Sequence, residues 1–197
     1  MRSLWVDRNF KYDGSQLRSL FAYLEFGLQG DSIVSWVGPC DIPIQHMVDG
    51  EDKLAKATIC GDLMLHFIVE RFGAGLETMV VWQRLLANIV RDIIWSQLAE
   101  GAAPTALGGA SALLLRRDGD DLFLAEKKLS ISIATVSPVS GLMHFAVNVE
   151  NSGTPVPTLS LKELGLEAGA LARAIMQAFV VESADVRAAT CKVHWVK

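Results

Sequence analysis

Long apolar runs are missing from this chain. None reaches the eighteen or so residues that cross a bilayer, and the opening Met1-Arg2-Ser3-Leu4-Trp5-Val6-Asp7 lacks the apolar centre of a signal peptide. Those two absences predict a cytoplasmic protein with no membrane partner. Cationic surface is scarce as well. Lys and Arg number 18 against 22 Asp and Glu, and no basic block occurs. A phosphate-neutralising face is therefore not expected, and neither is a nucleic-acid partner. Cysteine is limited to Cys40, Cys60 and Cys191, odd in number, widely spaced and without a CxxC pair. That pattern excludes a disulfide framework, points to reduced thiols and offers no metal ligand set. Internal repeats and low-complexity segments are absent too.

What the chain has is apolar material: 51% of its 197 residues. That is enough for one domain spanning 1–197 with a large core. A surface covered in a homodimer would account for the same excess.

Periodicity divides the chain into strands and helices. Ser3–Val6 suggests a short strand. Asp13 or Ser15 can cap a helix carrying Leu17, Leu20, Phe21, Leu24 and Leu28 on one stripe, ended by Gly27 and Gly30. Ser32–Val37 is a strand closed by Gly38-Pro39. From Cys40 to Gly61 no period holds, and a long loop rich in reactive side chains, His46 and Asp49 among them, is expected to cover a site. Leu63–Glu70 alternates as a strand. Its His66 and Glu70 share a side two steps apart, which suggests a hydrogen-bonded pair near a sheet end. Glu77–Ala99 is a helix apolar over much of its circumference, broken at Gly101-Ala102-Ala103-Pro104 and followed by a small-residue linker to Gly109. Ala112–Arg117 and Asp121–Ala125 flank Asp118-Gly119-Asp120 as a hairpin. Thr154–Pro157 is extended, Glu167–Ser183 helical, and Val193–Val196 a last strand. The sum is an α+β domain of about eight strands and three main helices, with a mixed, largely antiparallel sheet and helices packed on it.

The informative stretch is Lys127–Thr135 with its return Gly141–Val149. Leu129, Ile131 and Ile133 alternate with Lys128, Ser130, Ser132 and Ala134. Met143, Phe145, Val147 and Val149 alternate with His144, Ala146 and Asn148. Pairing apolar with apolar gathers Lys128, Ser130, Ser132, His144 and Asn148 on one polar face. Such a face is either wet or binds something polar. Asp120 and Asp121 lie just ahead of it and suit either a hairpin turn or a divalent cation.

The segments Lys128–Ala134 and His144–Val149 resemble the lysine strand and returning strand of biotin and lipoate protein ligases and octanoyltransferases. A wider set of segments, including Tyr12–Leu17, Gly38-Pro39-Cys40, His46–Asp49, Met64–Glu70, Gln83–Leu86 and Gly119–Leu122, is similar to a family of uncharacterised archaeal and bacterial proteins with a biotin-ligase-like fold. That resemblance implies the architecture of class II aminoacyl-tRNA synthetases and biotin synthetases. It makes Lys128 the counterpart of the ligases' catalytic lysine, in contact with an acyl carboxylate or acyl-adenylate phosphate. ATP and Mg²⁺ are the cofactors it suggests. The chain departs from the ligases in having no glycine- and arginine-rich adenylate loop, and from the octanoyltransferases in having no late Pro-Cys-Gly.

Two functions follow. In the first, an acyl or carboxylate small molecule is activated or transferred at a site centred on Lys128. Ser130, Ser132 and Asn148 donate or accept hydrogen bonds, His144 or His66 moves protons, and Gly38, Cys40, His46, Asp120 and Asp121 complete the binding surface. In the second, the same pocket is a non-catalytic module that holds an anionic metabolite and reports it through a dimer.

Overall fold

The computed structural model describes residues 1–100, 115–152 and 157–196. Its centre is a five-stranded sheet in the order β1-β2-β3-β8-β7, formed by β1 (Arg2–Trp5), β2 (Ser32–Ile42), β3 (Ile59–Phe72), β8 (Ser140–Glu150) and β7 (Ser130–Val136). Only the β1–β2 pair is parallel; β2–β3, β3–β8 and β7–β8 are antiparallel. A small second sheet holds β4 (Arg116–Asp118), β5 (Asp121–Leu124) and β6 (Lys127–Lys128). The mixed, largely antiparallel α+β architecture is the one the sequence predicts.

Both faces of the central strands are covered, which is why β2, β3 and β8 are apolar almost throughout. On one face Ile33, Leu65, Phe67, Met143, Phe145 and Val147 pack against two long helices. These are α3 (Leu76–Glu100), through Met79, Trp82, Leu86, Val90 and Ile94, and α4 (Ala168–Cys191), through Leu171, Ile175 and Phe179. The helix α3 comes so close that a Cβ on Gly141 of β8 would lie 2.2 Å from Met79 Cγ. On the other face Val34, Trp36, Met64, Ile68 and Ala146 meet Tyr12 and the short helix α1 (Phe21–Phe26).

Several elements differ from their predicted extents. The first helix shrinks to α1, entered through Leu20 at φ 63°. Its N-terminal Leu20 N–H donates to both carboxylate oxygens of Glu70, at 2.9 and 3.0 Å, and Ser140 Oγ donates to the same side chain at 2.6 Å. Glu70 therefore serves α1 and β8, not His66. The expected loop from Cys40 to Gly61 is partly regular: β2 runs on to Ile42, a 3₁₀ turn covers Ile44–His46, α2 spans Gly50–Ala55, and β3 begins at Ile59. Asp49 caps α2 by accepting from the Glu51 and Asp52 amides. Residues Val193–Val196 form no strand; they trail α4 with Val193, Trp195 and Val196 exposed. The helix break and linker at 101–109, the strand start at 112–114 and the extended residues 154–156 lie outside the described residues.

Candidate functional site

A cavity of about 440 Å³ opens beside the outer edge of the sheet. Its floor is the face of β3 and β8 that carries Met64, His144 and Asn148. Residues 42–60, with α2, form its roof, and β5, β6 and the start of β7 form its far wall. The segment from Cys40 to Gly61 covers this cavity as a turn and a capped helix instead of an irregular loop.

Lys128 stands in the far wall. It is not on the same strand as Ser130. Lys127–Lys128 pair with β5 in the small sheet, and β7 starts two residues later in the large one. The backbone at this junction is clamped. Lys128 N–H donates to Pro157 O (3.2 Å), while Lys128 O accepts from Leu159 N–H (2.9 Å) and Asn148 Nδ2 (3.2 Å). The side chain is partly exposed at the cavity mouth, with Nζ 2.7 Å from Asp121 Oδ2. Burial pushes the Asp121 carboxyl above its ordinary value, against the opposing pull of the Lys128 charge.

The register of β7 on β8 corrects the expected polar face. Ser130 lies opposite Val147, Ser132 opposite Phe145 and Ile133 opposite His144. The two serines thus share the helix side with the core, while Ile131 and Ile133 share the cavity side with His144 and Asn148. Polar side chains can sit on the core side because this edge supplies partners. Ser130 Oγ accepts the Leu122 amide at 2.9 Å. Ser132 Oγ donates to Asp120 Oδ2 at 2.5 Å, and Gln83 Nε2 of α3 donates to both Asp120 Oδ2 and Ser132 Oγ at 2.8 Å. Ser130, Ser132 and Asp120 nonetheless border the cavity.

Behind the floor lies a buried imidazole pair. His66 Nδ1 is 3.1 Å from His144 Nε2, and His66 Nε2 donates to Gly38 O at 3.0 Å. His66 is fully enclosed by protein, and His144, 2% exposed, borders the cavity. Burial lowers His66 to about 4 and drives His144 well below the usual histidine value, so both are neutral at pH 7. Tyr12 stacks on His144 with ring centres 3.7 Å apart and 14° between planes, and Trp36 stacks on His66 at 5.1 Å.

Eight of the eleven predicted site residues meet at the cavity: Lys128, His144, Ser130, Ser132, Asn148, Asp120, Asp121 and His46. His46 is at the exposed rim, where Nδ1 donates to Asp13 O at 2.8 Å. Gly38, Cys40 and His66 are set back from it. Gly38 is where the chain at Phe10 crosses β2; a Cβ there would be 2.0 Å from Phe10 O. Cys40 is buried beside Tyr12 and Trp36, and burial pushes its thiol up to about 12, so it is a packing residue and a poor nucleophile. Tyr12 and Gln83 were not among the predicted site residues. Tyr12 sits in a polar turn with no period to mark it, and Gln83 is one polar position on an apolar helix.

The charges constrain what fits. Lys128 is the only Lys or Arg lining the cavity among the described residues, against Asp49, Asp52, Asp120 and Asp121. One ammonium among four carboxylates balances a single negative charge better than several. The acidic turn does not suit a divalent cation either. Asp118 is held by Arg116 at 2.9 Å, Asp120 by Gln83 and Ser132, and Asp121 by Lys128. No three His, Cys, Asp or Glu side chains are placed to hold a metal among the described residues.

The family model described as a domain of unknown function, DUF366, matches residues 1–194. An uncharacterized protein of Methanocaldococcus jannaschii is 32% identical over 173 residues, 85% of this chain and 72% of that protein. A solved Pyrococcus horikoshi protein of unknown function superimposes with a TM-score of 0.88 at 36% identity, covering 99% of this chain and 98% of that one. A biotin protein ligase from Aquifex aeolicus, in complex with biotin and ATP, superimposes with a TM-score of 0.55 at 11% identity, covering 91% of this chain and 68% of the ligase. The last likeness is one of fold, and the biotin/lipoate ligase-like architecture is the one the resemblance implies.

Proposed function

The chain belongs to the DUF366 family, and from that premise and the cavity's geometry we propose that it binds a small-molecule monocarboxylate or acyl group and activates or transfers it at Lys128. The observation that carries this reading is the Lys128 ammonium at the mouth of an otherwise acidic cavity, on a backbone clamped by three hydrogen bonds. An incoming carboxylate replaces Asp121 as the partner of Nζ. For an acyl group, the lysine would stabilise the negative charge on the carbonyl oxygen while an acceptor nucleophile bonds to the carbon, a charge that collapses as the acyl carrier leaves. Biotin, the ligand of the Aquifex aeolicus ligase, is itself a monocarboxylate. Ile131, Ile133 and Met64 provide an apolar run for the rest of such a molecule.

A non-catalytic module is the second reading, and two observations favour it. The buried Cys40 thiol is no acyl acceptor, and the acidic lining does not suit the triphosphate of ATP. A homodimer belongs to the proposal under either reading; exposed Val193, Trp195 and Val196 give a second copy apolar surface to cover. Sedimentation velocity tests that point.

Calorimetry with octanoate, lipoate and biotin tests the site. Lys128→Ala should weaken whichever acid binds by at least roughly tenfold, the loss of a charge-assisted hydrogen bond, with an unchanged circular dichroism spectrum. Undiminished affinity in that variant rejects the reading. Turnover of the bound acid with nucleotide and Mg²⁺ present selects the enzyme; binding without turnover selects the module.

A further inference from the structure

We infer that the cavity floor selects a ligand whose inner end is an uncharged O–H or N–H donor, received by a bare Nδ1 on His144. This rests on the reading of the cavity as a ligand site and adds what the end remote from Lys128 must be.

The argument is one of hydrogen-bond bookkeeping. Gly38 O can only accept, so His66 must carry its hydrogen on Nε2, 3.0 Å away. A neutral imidazole has one N–H, which leaves His66 Nδ1 as an acceptor. His144 Nε2, 3.1 Å from it, must then be the donor. Since His144 is neutral as well, its Nδ1 is bare. Two acceptor atoms would face each other across 3.1 Å in any other neutral arrangement that keeps the Gly38 bond. The flanking rings fix the geometry, with Tyr12 lying flat on His144 at 3.7 Å.

The second observation concerns where Nδ1 leads. Among the described residues, the sealed side-chain polar atoms without a partner are the hydroxyls of Ser32 and Ser35. His144 makes its one hydrogen bond through Nε2; its Nδ1 is not among those sealed atoms, and the residue lines the cavity. Asn148, four residues along the same face, gives both Nδ2 hydrogens to the carbonyls of Lys128 and Leu159 at 3.2 and 3.1 Å. Its Oδ1 is a second acceptor on that strand. A ligand tip that only accepts would meet the bare Nδ1 there and leave both groups unsatisfied. A protonated tip loses its hydration in a floor walled by Ile131, Ile133 and Met64. Four residues of strand span about 13 Å, so a medium-chain molecule reaches from the Lys128 end to His144.

The test uses the full chain and matched probes. ω-Hydroxyoctanoate should bind roughly fivefold to tenfold more tightly than ω-methoxyoctanoate, and His144→Phe, which keeps the ring stack on Tyr12, should bring the ratio close to one. Octanol and its methyl ether repeat the comparison without a carboxylate, so the floor is tested even if the lysine reading fails; that reading fails separately if octanoate is indifferent to Lys128→Ala. Independently, ¹⁵N spectra of histidine-labelled protein should show His66 and His144 as neutral Nε2–H tautomers. An ether-tipped probe that binds as well as the hydroxyl one, a hydroxyl advantage that survives His144→Phe, or a protonated Nδ1 on His144 would each overturn the inference.

Discussion

At the scale of single residues, Asp121 decides how available Lys128 is. The two groups are 2.7 Å apart, and each side chain is about 30% exposed (30% for Lys128, 28% for Asp121). A pair that wet is worth no more than about 1 kcal/mol, so a ligand carboxylate can displace it. Asp121→Asn removes the competitor and also relieves a buried carboxyl whose pKa burial has raised. Affinity for a carboxylate should rise by up to about fivefold, measured by calorimetry beside Lys128→Ala. A fall in affinity would mean that Asp121 orients the amine instead of competing for it. Gly38 is the second residue whose identity is fixed by contact. A Cβ at 2.0 Å from Phe10 O meets backbone, which cannot swing aside like a side chain, and Phe10 O also accepts Trp36 Nε1 at 3.0 Å. Gly38→Ala should cost about 3 kcal/mol in urea unfolding. A near-neutral substitution would show that residues near Phe10 yield easily.

At the scale of elements, the roof depends on a helix too short to persist alone. The six residues of α2 have no buried side chain, and its N-terminus is held by Asp49. Asp49→Ala should cost about 1 kcal/mol and raise amide exchange selectively over 50–55; uniform protection there would refute a dependence of the roof on its cap. The elements also show what the sequence made legible. The strands β2, β3 and β8 stand out because burial on both faces leaves long apolar runs, and α3 and α4 because their stripes span many turns. The alternation of His66 with Leu65 and Phe67 placed that imidazole on the right face. The register of β7 was not legible. Matching apolar with apolar is sound for a half-buried sheet, but at this edge Gln83, Asp120 and the Leu122 amide supply partners, and the serines can turn inward. Lys128 does line the cavity, yet its place in a second sheet is held by the 157–159 backbone, thirty residues away in sequence.

At the scale of the whole molecule, two neutral histidines in the interior tie stability to pH. Their folded-state values lie below the unfolded value near 6.5, His66 at about 4 and His144 well below 6.5. As pH falls through 6.5 the unfolded chain takes up protons that the folded one refuses, so stability must drop on acidification. Between pH 7 and pH 5 the loss from His66 should be about 2 kcal/mol, with His144 acting in the same direction, read from urea midpoints at the two values. Constant or rising stability over that interval would contradict two buried neutral imidazoles. The contribution is fully present above pH 6.5 and is exhausted only below the folded values.

The cavity has a provenance as well as a shape. Its lid comes from the stretch before residue 60, while the amine and its acidic neighbours come from beyond residue 119. A guest lodged between them would rivet the early part of the polypeptide to the late part. At a hundredfold excess over Kd such occupancy adds about 2.7 kcal/mol to the folded state, whether or not any bond in the guest is ever broken.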